Sequence, residues 1–492
     1  MADFKAYWAT RRARPGTCLG DVSELDSRKL SALDAVMPQD YFVRKLPRKW
    51  WEWEYIAECA ETLDLLNSST TALGLGAGFE PLIFHFANSC KAVIATDLYS
   101  SDTAWSEARF ATTKQVIESA PIRFPTDRVE VRNADMRQTG AADASVDFVW
   151  SCSSIEHIPT LKDLFLVFAE IDRILKVGGH AILTTEFTVT GNPYLLPGVN
   201  AWNDELFEAI KPALRGFEFV GPTDLSFNAL HPGNAARPRR YLPASSLPGS
   251  SPQLSYYHRA GTLANPVGLS IIVPIAFVLR KTSNAGVAAW NEIAISPLVR
   301  MYADGLDAFF ADRLPEAIEL LGNVYCSQDC DLQMKHLAFR FMIDAKAKSG
   351  QMAQSETFAD AIEEFTTQVP SGPVQDADCL DLCAYLLGEC GRGAQSLRLY
   401  EKCIKSPSTS REHLFELLGS YLVLADKHGA KSHSDELAAS IISDLVQFGL
   451  SGVELMQMSK APISEKIGKH RTADITKQAR NRLEVAIKSM TI

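Results

Sequence analysis

Long hydrophobic runs are scarce in this sequence of 492 residues. The first residues include Asp3 and contain no continuous apolar core, so we expect no signal peptide. The longest apolar stretch, residues 267–279, is too short to span a bilayer and contains Pro274. The sequence therefore predicts a chain with no transmembrane segment.

Cysteines are few, and basic residues are outnumbered by acidic ones. The ten cysteines are scattered and do not suggest a disulfide framework, so we expect a reducing, cytoplasmic compartment. The 49 lysines and arginines are outnumbered by 59 aspartates and glutamates, which gives a net charge of −10. This excess of negative charge argues against nucleic acid as a partner.

Apolar residues, by contrast, suffice for a large core. They make up 46% of the chain, and its length predicts two or three domains. Residues 1–47 mix polar and apolar residues with few periodic features, and they are interpreted as an N-terminal extension. Over residues 48–284 short apolar runs alternate with helical patterns, whereas residues 285–492 are helical in pattern almost throughout.

The alternation in residues 48–284 predicts an α/β fold. The runs that resemble strands are "TALGLG" at 71, "AVIAT" at 92, "RVEVR" at 128, "VDFVWS" at 146, "HAILTTEF" at 180, "FEFVG" at 217 and "LSIIVPIAFVLR" at 269. Helical patterns between the first five predict a parallel sheet covered on both faces. We therefore expect a Rossmann-like, mostly parallel sheet of seven strands.

The segment 285–492 predicts an all-helical domain. Small Gly305 and Ala317 are twelve residues apart, and Ala317, Ala361 and Ser396 follow one another at intervals of 44 and 35 residues. Such intervals are close to the period of a tetratricopeptide repeat. We expect stacked helical hairpins that bind a protein partner or mediate self-association.

A long irregular stretch, residues 222–266, separates the last two predicted strands. It is rich in proline, serine and glycine and contains Arg237, Arg239 and Arg240. A loop of this length is usually functional or disordered. Two interpretations stay open: a lid that recognises an anionic ligand through the arginines, or a solvated loop.

The first predicted strand ends in three alternate glycines, Gly74, Gly76 and Gly78, within "LGLGAG". Residues without a side chain let the backbone approach a ligand closely and adopt unusual dihedral angles. The dinucleotide fingerprint G-x-G-x-x-G would need glycine at position 79, where the sequence has Phe79. The pattern predicts a ligand-binding turn at the carboxyl end of this strand.

Acidic residues follow the next two predicted strands. Asp97 lies nineteen residues after Gly78, where a carboxylate can accept from both hydroxyls of a ribose. Asp135 can accept from an adenine amino group, and Met136 beside it can pack on the ring. Taken singly, Asp97 is also a good helix cap and Asp135 a good turn residue.

Five motifs in order carry a family resemblance: "LGLGAG", "TDLY", "NADM", "DFVWSCSSIEHI" and "ILKVGGHAILTTEF". Residues 48–281 resemble the class I S-adenosylmethionine-dependent methyltransferases. Within that superfamily the sequence is similar to bacterial methyltransferases associated with surface-polysaccharide and glycan synthesis, which share "G-x-G-x-EP", "ATDL" and "TTEF". Pro274 departs from the family pattern, because a proline in the last, interior strand loses a ladder bond or implies a bulge.

The resemblance implies S-adenosylmethionine as the cofactor. The residues that it places against the cofactor are Gly74, Gly76, Gly78, Asp97, Asp135, Met136 and Ser151. Asp97 would bind the ribose, and Ser151 would face the methionine carboxylate or the sulfonium. A helix containing Trp51 and Tyr55 would cap the bound molecule.

Methyl transfer to an oxygen needs a group that accepts a proton. Glu156 and His157 after the fourth strand and Glu186 past the fifth qualify by topology, and His231 and His258 lie in the long loop. A purely structural role for Glu156 and His157, in support of the cofactor, also stays open.

Two cysteine pairs, Cys326 with Cys330 and Cys379 with Cys383, have a spacing that a zinc site could use. Their helical, apolar surroundings favour buried small hydrophobic residues instead, so no metal is expected.

The sequence thus predicts a methyltransferase domain followed by a tetratricopeptide-like helical domain. The expected reaction is O-methylation of a glycan or of a sugar-containing precursor. The alternatives are methylation of a lipid, a protein or another small molecule, and a non-catalytic scaffold that acts through helical repeats.

Overall fold

The computed structural model describes most of the α/β region and part of the C-terminal helices. The described residues are 15–20, 47–100, 112–189, 191–196, 198–227, 265–267, 270–350, 383–384, 387–388, 392–404, 411–447, 481–485 and 487. The residues of the predictions above that lie outside them are Arg237, Arg239, Arg240, His231, His258, Ala361 and Cys379.

The chain divides into two compact units. The first comprises Met1–Arg237 and Ala260–Leu337, and the second comprises Pro238–Arg259 and Ala338–Ile492. The domain boundaries placed after residues 47 and 284 stay predictions.

The first unit contains a mixed sheet and the helices around it. Its strands are β1 (Thr17–Leu19), β2 (Thr71–Leu75), β3 (Ala92–Asp97), β4 (Val129–Asn133), β5 (Val146–Cys152), β6 (Leu175–Thr188), β7 (Tyr194–Leu196), β8 (Val199–Ala201), β9 (Phe217–Phe219), β10 (Thr223–Asp224), β11 (Asn265–Val267) and β12 (Ser270–Lys281). Its helices are α1 (Pro47–Thr62), α2 (Pro81–Ala87), α3 (Thr113–Glu118), α4 (Leu161–Ile174), α5 (Asp204–Ala213), α6 (Pro297–Phe310) and α7 (Leu314–Cys326).

The sheet has the order β10-β1-β12-β6-β5-β2-β3-β4, and β9 and β11 also pair with β12. The five strands from β4 to β6 are parallel, and β12 runs antiparallel to β6. The chain moves from β2 outward to β3 and β4, then returns to β5 on the other side of β2. This change of direction opens a crevice at the carboxyl ends of β2 and β5, the place where open α/β sheets bind ligands.

The predicted count of seven strands is wrong, because the described residues form a sheet of ten. The additional strands, β1, β10 and β11, have two or three residues each. Strands this short cannot display the alternation of apolar and polar residues by which a sequence reveals a strand.

Pro274 lies in β12 without a bulge. Residues 272–280 pair continuously with residues 180–188 of β6. The carbonyl of Pro274 accepts from the N–H of Gly20, on the side of β1. Since the N–H and C=O of an extended residue point to the same side, the N–H that proline lacks would also face β1. The ladder with β6 therefore loses no hydrogen bond.

Helix α1 supplies much of the core under the sheet. Trp51 and Tyr55 are both completely buried there, and the hydroxyl of Tyr55 donates to the carbonyl of Gly16. On the facing helix α2, Phe86 packs edge-on against Trp150 of β5, with 5.2 Å between ring centroids. The two aromatic residues that the resemblance placed over the cofactor thus lie inside the core.

A helical pair completes the first unit. Gly305 of α6 faces Leu321 of α7 so closely that a Cβ on the glycine would lie 2.9 Å from the leucine side chain. Ala317 of α7 is fully buried, as its small size predicts. Helix α6 also reaches the α/β part, because the hydroxyl of Tyr302 donates to the carbonyl of Leu195 in β7 at 2.9 Å.

Helices α9 (Gly393–Ile404), α10 (Arg411–Lys427) and α11 (Lys431–Gln447) belong to the second unit and follow α8 (Leu332–Lys348). Ser396 is fully buried, and its hydroxyl donates to the carbonyl of Ala384. These helices agree with the predicted helical character, while a repeat architecture stays a prediction. No helix within the described ranges is long and apolar enough to cross a membrane.

Candidate active site

The turn that follows β2 has the backbone that its glycines predict. Gly76 and Gly78 have φ angles of +60° and +48°, in the left-handed region that suits glycine. A Cβ on Gly76 would lie 2.5 Å from the Cβ of Ser154, so the turn packs directly on the loop after β5. The hydroxyl of Ser154 donates to the carbonyl of Gly76 at 2.8 Å. Ser154 is a contact that the sequence analysis missed.

Gly74 is required for a different reason. A Cβ at this position would lie 2.4 Å from an indole carbon of Trp150, which is fully buried. The glycine therefore leaves room for a core side chain beneath the turn. The contact between Gly74 and the cofactor stays a prediction.

Asp97 ends β3 and binds the turn. Its Oδ2 accepts from the N–H of Gly78 at 2.8 Å, and its Oδ1 accepts from the N–H of Leu98 at 2.6 Å. Burial raises the pKa of Asp97; the two hydrogen bonds and the nearby His157 act in the opposite direction and offset only part of the rise. Asp97, the glycine turn and His157 thus lie at one edge of the sheet.

Tyr99 holds the same turn from the other side. Its hydroxyl donates to the carbonyl of Gly78 at 2.8 Å. Burial raises the pKa of Tyr99, so the phenol stays protonated and acts as a donor. The residue stands in the "TDLY" motif, and that position was the only signal for it in the sequence.

Asp135 and Met136 follow β4, with different surroundings. Both carboxylate oxygens of Asp135 accept from Arg137, at 2.7 and 3.0 Å, and these bonds lower the pKa of Asp135. Arg137 also pairs with Asp163 of α4 at 2.6 Å. The Met136 methyl group lies 3.2 Å from where a Cβ on Gly76 would be. The structure therefore brings Met136 to the turn and engages Asp135 in an ion pair.

Ser151 lies next to the end of β2, where the turn begins. It is completely buried, and its hydroxyl donates to the carbonyl of Leu75 at 3.0 Å. The serine of this segment that contacts the glycines is Ser154, three residues further on. A role for Ser151 toward a bound methionine carboxylate stays a prediction.

The three candidate catalytic residues occupy different environments. Glu156 is buried, and its Oε2 accepts from the hydroxyl of Thr185 at 3.1 Å. His157 is half-buried, with Nδ1 at 2.6 Å from the carbonyl oxygen of Gly198. Glu186 is buried near the end of β6, where its backbone carbonyl accepts from the N–H of Trp202. Partial exposure and proximity to Asp97 distinguish His157 from the two glutamates.

A group of charged residues lies next to the turn, between α1 and β5; Glu52 is buried in it and Lys49 is partly exposed. The ammonium of Lys49 donates to the carbonyl of Cys152 at 3.0 Å and pairs with Glu52 at 3.2 Å. The thiol of Cys152 in turn donates to Glu52 at 3.3 Å. Burial acts to lower the pKa of Lys49, but its negative neighbours raise it above the ordinary value.

Glu80 belongs to the same group and immediately precedes α2. Its Oε2 accepts from the indole N–H of Trp150 at 3.2 Å. Burial raises the pKa of Glu80 to about 8. No pattern in the sequence predicts this group, because its members come from three separate segments.

Within the described ranges no cluster of three or more histidines, cysteines, aspartates and glutamates is arranged to hold a metal ion. Cys326 is exposed and Cys330 is buried, so the first cysteine pair is split between solvent and core.

Comparison with known proteins agrees with this geometry. Residues 73–183, from β2 to β6, match a family described as a methyltransferase domain. By this match the segment resembles a methyltransferase domain. It contains the glycine turn, Asp97, Met136 and His157. Among proteins with curated descriptions, none matches the chain in sequence.

Several solved structures are similar to part of this chain. Geranyl diphosphate C-methyltransferase from Streptomyces coelicolor A3(2), solved with Mg²⁺, geranyl diphosphate and S-adenosylhomocysteine, is 16% identical over 57% of this chain and 97% of its own, with a TM-score of 0.30.

Two further structures show the same level of similarity. The 1,6-didemethyltoxoflavin-N1-methyltransferase from Burkholderia thailandensis, solved with S-adenosylhomocysteine, is 12% identical over 50% of this chain and 82% of its own, with a TM-score of 0.30. An arsenic(III) S-adenosylmethionine methyltransferase from Chlamydomonas reinhardtii is 14% identical over 46% of this chain and 67% of its own, with a TM-score of 0.27. Similarity this low assigns neither a substrate nor a reaction to this chain.

Proposed function

We propose that the first unit binds S-adenosylmethionine and transfers its methyl group to an oxygen of an acceptor. The observation that carries the proposal is the hydrogen bond from the N–H of Gly78 to Asp97, which joins the glycine turn to the acid after β3. Both residues lie at the switch point of the sheet and within the segment that matches a methyltransferase domain.

The residues at this edge suit the parts of the cofactor. The left-handed glycines leave the backbone of the turn bare, which allows close approach of a ligand. Asp97 offers carboxylate oxygens to the ribose hydroxyls, and the Met136 thioether offers an apolar surface to the adenine ring. Asp135, already bound by Arg137, would accept from the adenine amino group only with the oxygen lone pairs that remain.

When bound, S-adenosylmethionine supplies a methyl group activated by a positively charged sulfur. The protein's part is to hold an acceptor oxygen in line with that methyl group and to keep water out. His157 is the proposed proton acceptor, because it is half-buried at the edge that carries Asp97. Glu156 and Glu186 are proposed as buried supports of the same site.

The proposed acceptor is a glycan or a sugar-containing precursor. Support for this part comes from the sequence resemblance alone, through "G-x-G-x-EP", "ATDL" and "TTEF". The helices of residues 285–492 are proposed to bind a protein partner or a second copy of the chain.

The experiment that tests the function is a calorimetric titration of the full chain with S-adenosylmethionine and S-adenosylhomocysteine. We expect binding of one molecule per chain. Purified protein should then transfer a labelled methyl group to material in a cell-envelope extract. Absence of binding to either compound would contradict the methyltransferase proposal and favour a scaffold. Binding with labelling of lipid or protein alone would exclude the glycan.

A further inference from the structure

The hairpin formed by β7 and β8 makes one contact with the candidate proton acceptor, His157, and two with the residues on either side of it. Asn200 of β8 reaches the backbone on both sides of His157, and Gly198 in the hairpin turn reaches its ring. The sequence analysis assigned no element to this hairpin. These contacts, taken together, restrict both the position and the rotation of the imidazole.

The side-chain amide of Asn200 clamps the backbone around His157. Its Nδ2 lies 3.0 Å from the carbonyl oxygen of Glu156 and 2.8 Å from that of Ile158. An atom this close to two carbonyl oxygens has to be the nitrogen, because an amide oxygen would be repelled by both. Asn200 is only 2% exposed, so water does not compete for these two bonds.

The clamp has a cost in stability. The Oδ1 of Asn200 is buried and finds no donor among the residues that the structure describes. A buried acceptor without a donor is unfavourable and calls for an explanation. Holding the two carbonyls beside His157 provides one.

The contact with Gly198 decides which nitrogen of His157 carries the proton. A carbonyl oxygen can only accept, so Nδ1 at 2.6 Å has to donate. In the neutral ring the lone pair is then on Nε2. Gly198 has a φ of +83°, and a Cβ there would meet nothing within 4 Å, so glycine serves the backbone conformation and not the packing.

The hairpin itself is fixed at both ends. The N–H of Trp202 donates to the carbonyl of Glu186 at 3.0 Å, and the N–H of Thr188 donates to that of Trp202 at 2.6 Å. On the other strand the hydroxyl of Tyr302 donates to the carbonyl of Leu195. The clamp on His157 is therefore tied to the end of β6 and to helix α6.

We infer that Asn200 is a positioning residue, which holds His157 as the tautomer protonated on Nδ1 and leaves Nε2 to accept the proton of the methyl acceptor. This inference rests on the proposed function for the identity of that proton. The tautomer itself does not depend on the function and can be measured without any cofactor.

The first test is a nitrogen-detected NMR measurement on the full chain labelled with ¹⁵N-histidine. Comparison with His157→Gln assigns the His157 signals. We expect the pattern of the Nδ1-protonated tautomer in the wild type and a shift toward the Nε2-protonated tautomer in Asn200→Asp. Aspartate has the same shape but cannot donate to the two carbonyls. The matched control is Asn203→Asp, since Asn203 caps α5 through an oxygen that aspartate retains.

The second test is kinetic. Asn200→Asp should lower kcat by up to about 100-fold, the lower range of general-base effects, with the affinity for S-adenosylhomocysteine unchanged. Asn200→Ser can donate one hydrogen bond, so its kcat should lie between those of the wild type and Asn200→Asp. This variant replaces Asn200→Asp in the test if the aspartate variant does not fold. A wild-type ring protonated on Nε2, or an unchanged tautomer in both variants, overturns the inference. Failure of the wild type to bind cofactor contradicts the proposed function instead, while the tautomer still decides the positioning role.

Discussion

The backbone N–H of Gly78 donates to the carboxylate of Asp97 across 2.8 Å, and this bond fixes the glycine turn to the end of β3. The acid therefore has two possible effects on a ligand, one direct and one through the shape of the turn. Substitutions of different chemistry separate them.

Replacing Asp97 by alanine should weaken binding of S-adenosylmethionine by about 1–3 kcal/mol, because a ribose partner and the bond to Gly78 are both lost. Asp97→Asn keeps an oxygen for the N–H of Gly78 but removes the charge. Its affinity for S-adenosylmethionine should therefore lie between those of the wild type and Asp97→Ala. Calorimetric titration measures both. The matched control is Asp127→Ala, at an exposed aspartate for which no contact with the turn is present. Equal affinities in all three variants would refute the assignment of Asp97.

Gly76→Ala should abolish or strongly reduce cofactor binding. The substitution imposes a left-handed backbone on alanine, at about 1–2 kcal/mol, and brings its Cβ to 2.5 Å from that of Ser154. Gly140→Ala is the control, since Gly140 has a φ of +73° with no atom within 4 Å of a Cβ. Adding Ser154→Gly to Gly76→Ala should recover part of the binding. Normal binding by Gly76→Ala alone would show that the cofactor does not bind against this turn.

Glu80 should make the stability of the fold depend on pH. Its pKa is about 8 when folded and 4.5 as an ordinary glutamate, so the folded state holds a proton that the unfolded state has lost. The free energy of unfolding should therefore fall as pH rises from about 4.5 to about 8, by up to about 1.4 kcal/mol per pH unit, and then level off.

Glu80→Gln removes this titration and should flatten the dependence over that range. Urea denaturation at a series of pH values measures it. Glu118→Gln, at an exposed position paired with Lys114, is the control and should leave the slope unchanged. A slope that survives in Glu80→Gln would assign the pH dependence to other groups.

Ala317→Trp should destabilise the pair of helices α6 and α7. Ala317 is fully buried, and inserting a large ring into a packed contact costs about 1–3 kcal/mol. Glu319→Trp places the same ring at an exposed position of the same helix. Thermal unfolding should separate the two variants, and equal stability would place Ala317 outside the contact between the helices.

The long elements of the first unit could be predicted because each has a pattern of its own. Strand β5 is a buried apolar run, and α4 repeats its apolar residues at helical spacing. The short strands β7 and β8 have three residues each, too few for a pattern. Their place is set by contacts with β6 and α6, which only the folded chain brings together.

The residues of the candidate site also fall into two groups, those that the sequence predicts and those that it does not. The glycines and Asp97 could be found from the sequence, because a turn after a strand and an acid after the next strand have fixed spacing. Asn200 and Lys49 could not, since each acts on a residue more than 40 positions away. Ser154, whose hydroxyl donates to the carbonyl of Gly76, had no signal in the sequence either, and the predicted role of Ser151 stays a prediction.

The bond from Tyr302 to Leu195 ties helix α6 to β7, so the compact unit extends beyond the segment that matches the methyltransferase family. The family match ends at residue 183, whereas the compact unit continues to residue 337. A chain shortened after residue 284 would lose Tyr302, and with it the support of β7. It would also lose Trp290, whose ring lies 5.7 Å from that of Phe165. A fusion protein that contained only the matched segment would include the glycine turn and His157. It would lack Asn200, the residue that we infer positions the imidazole of His157.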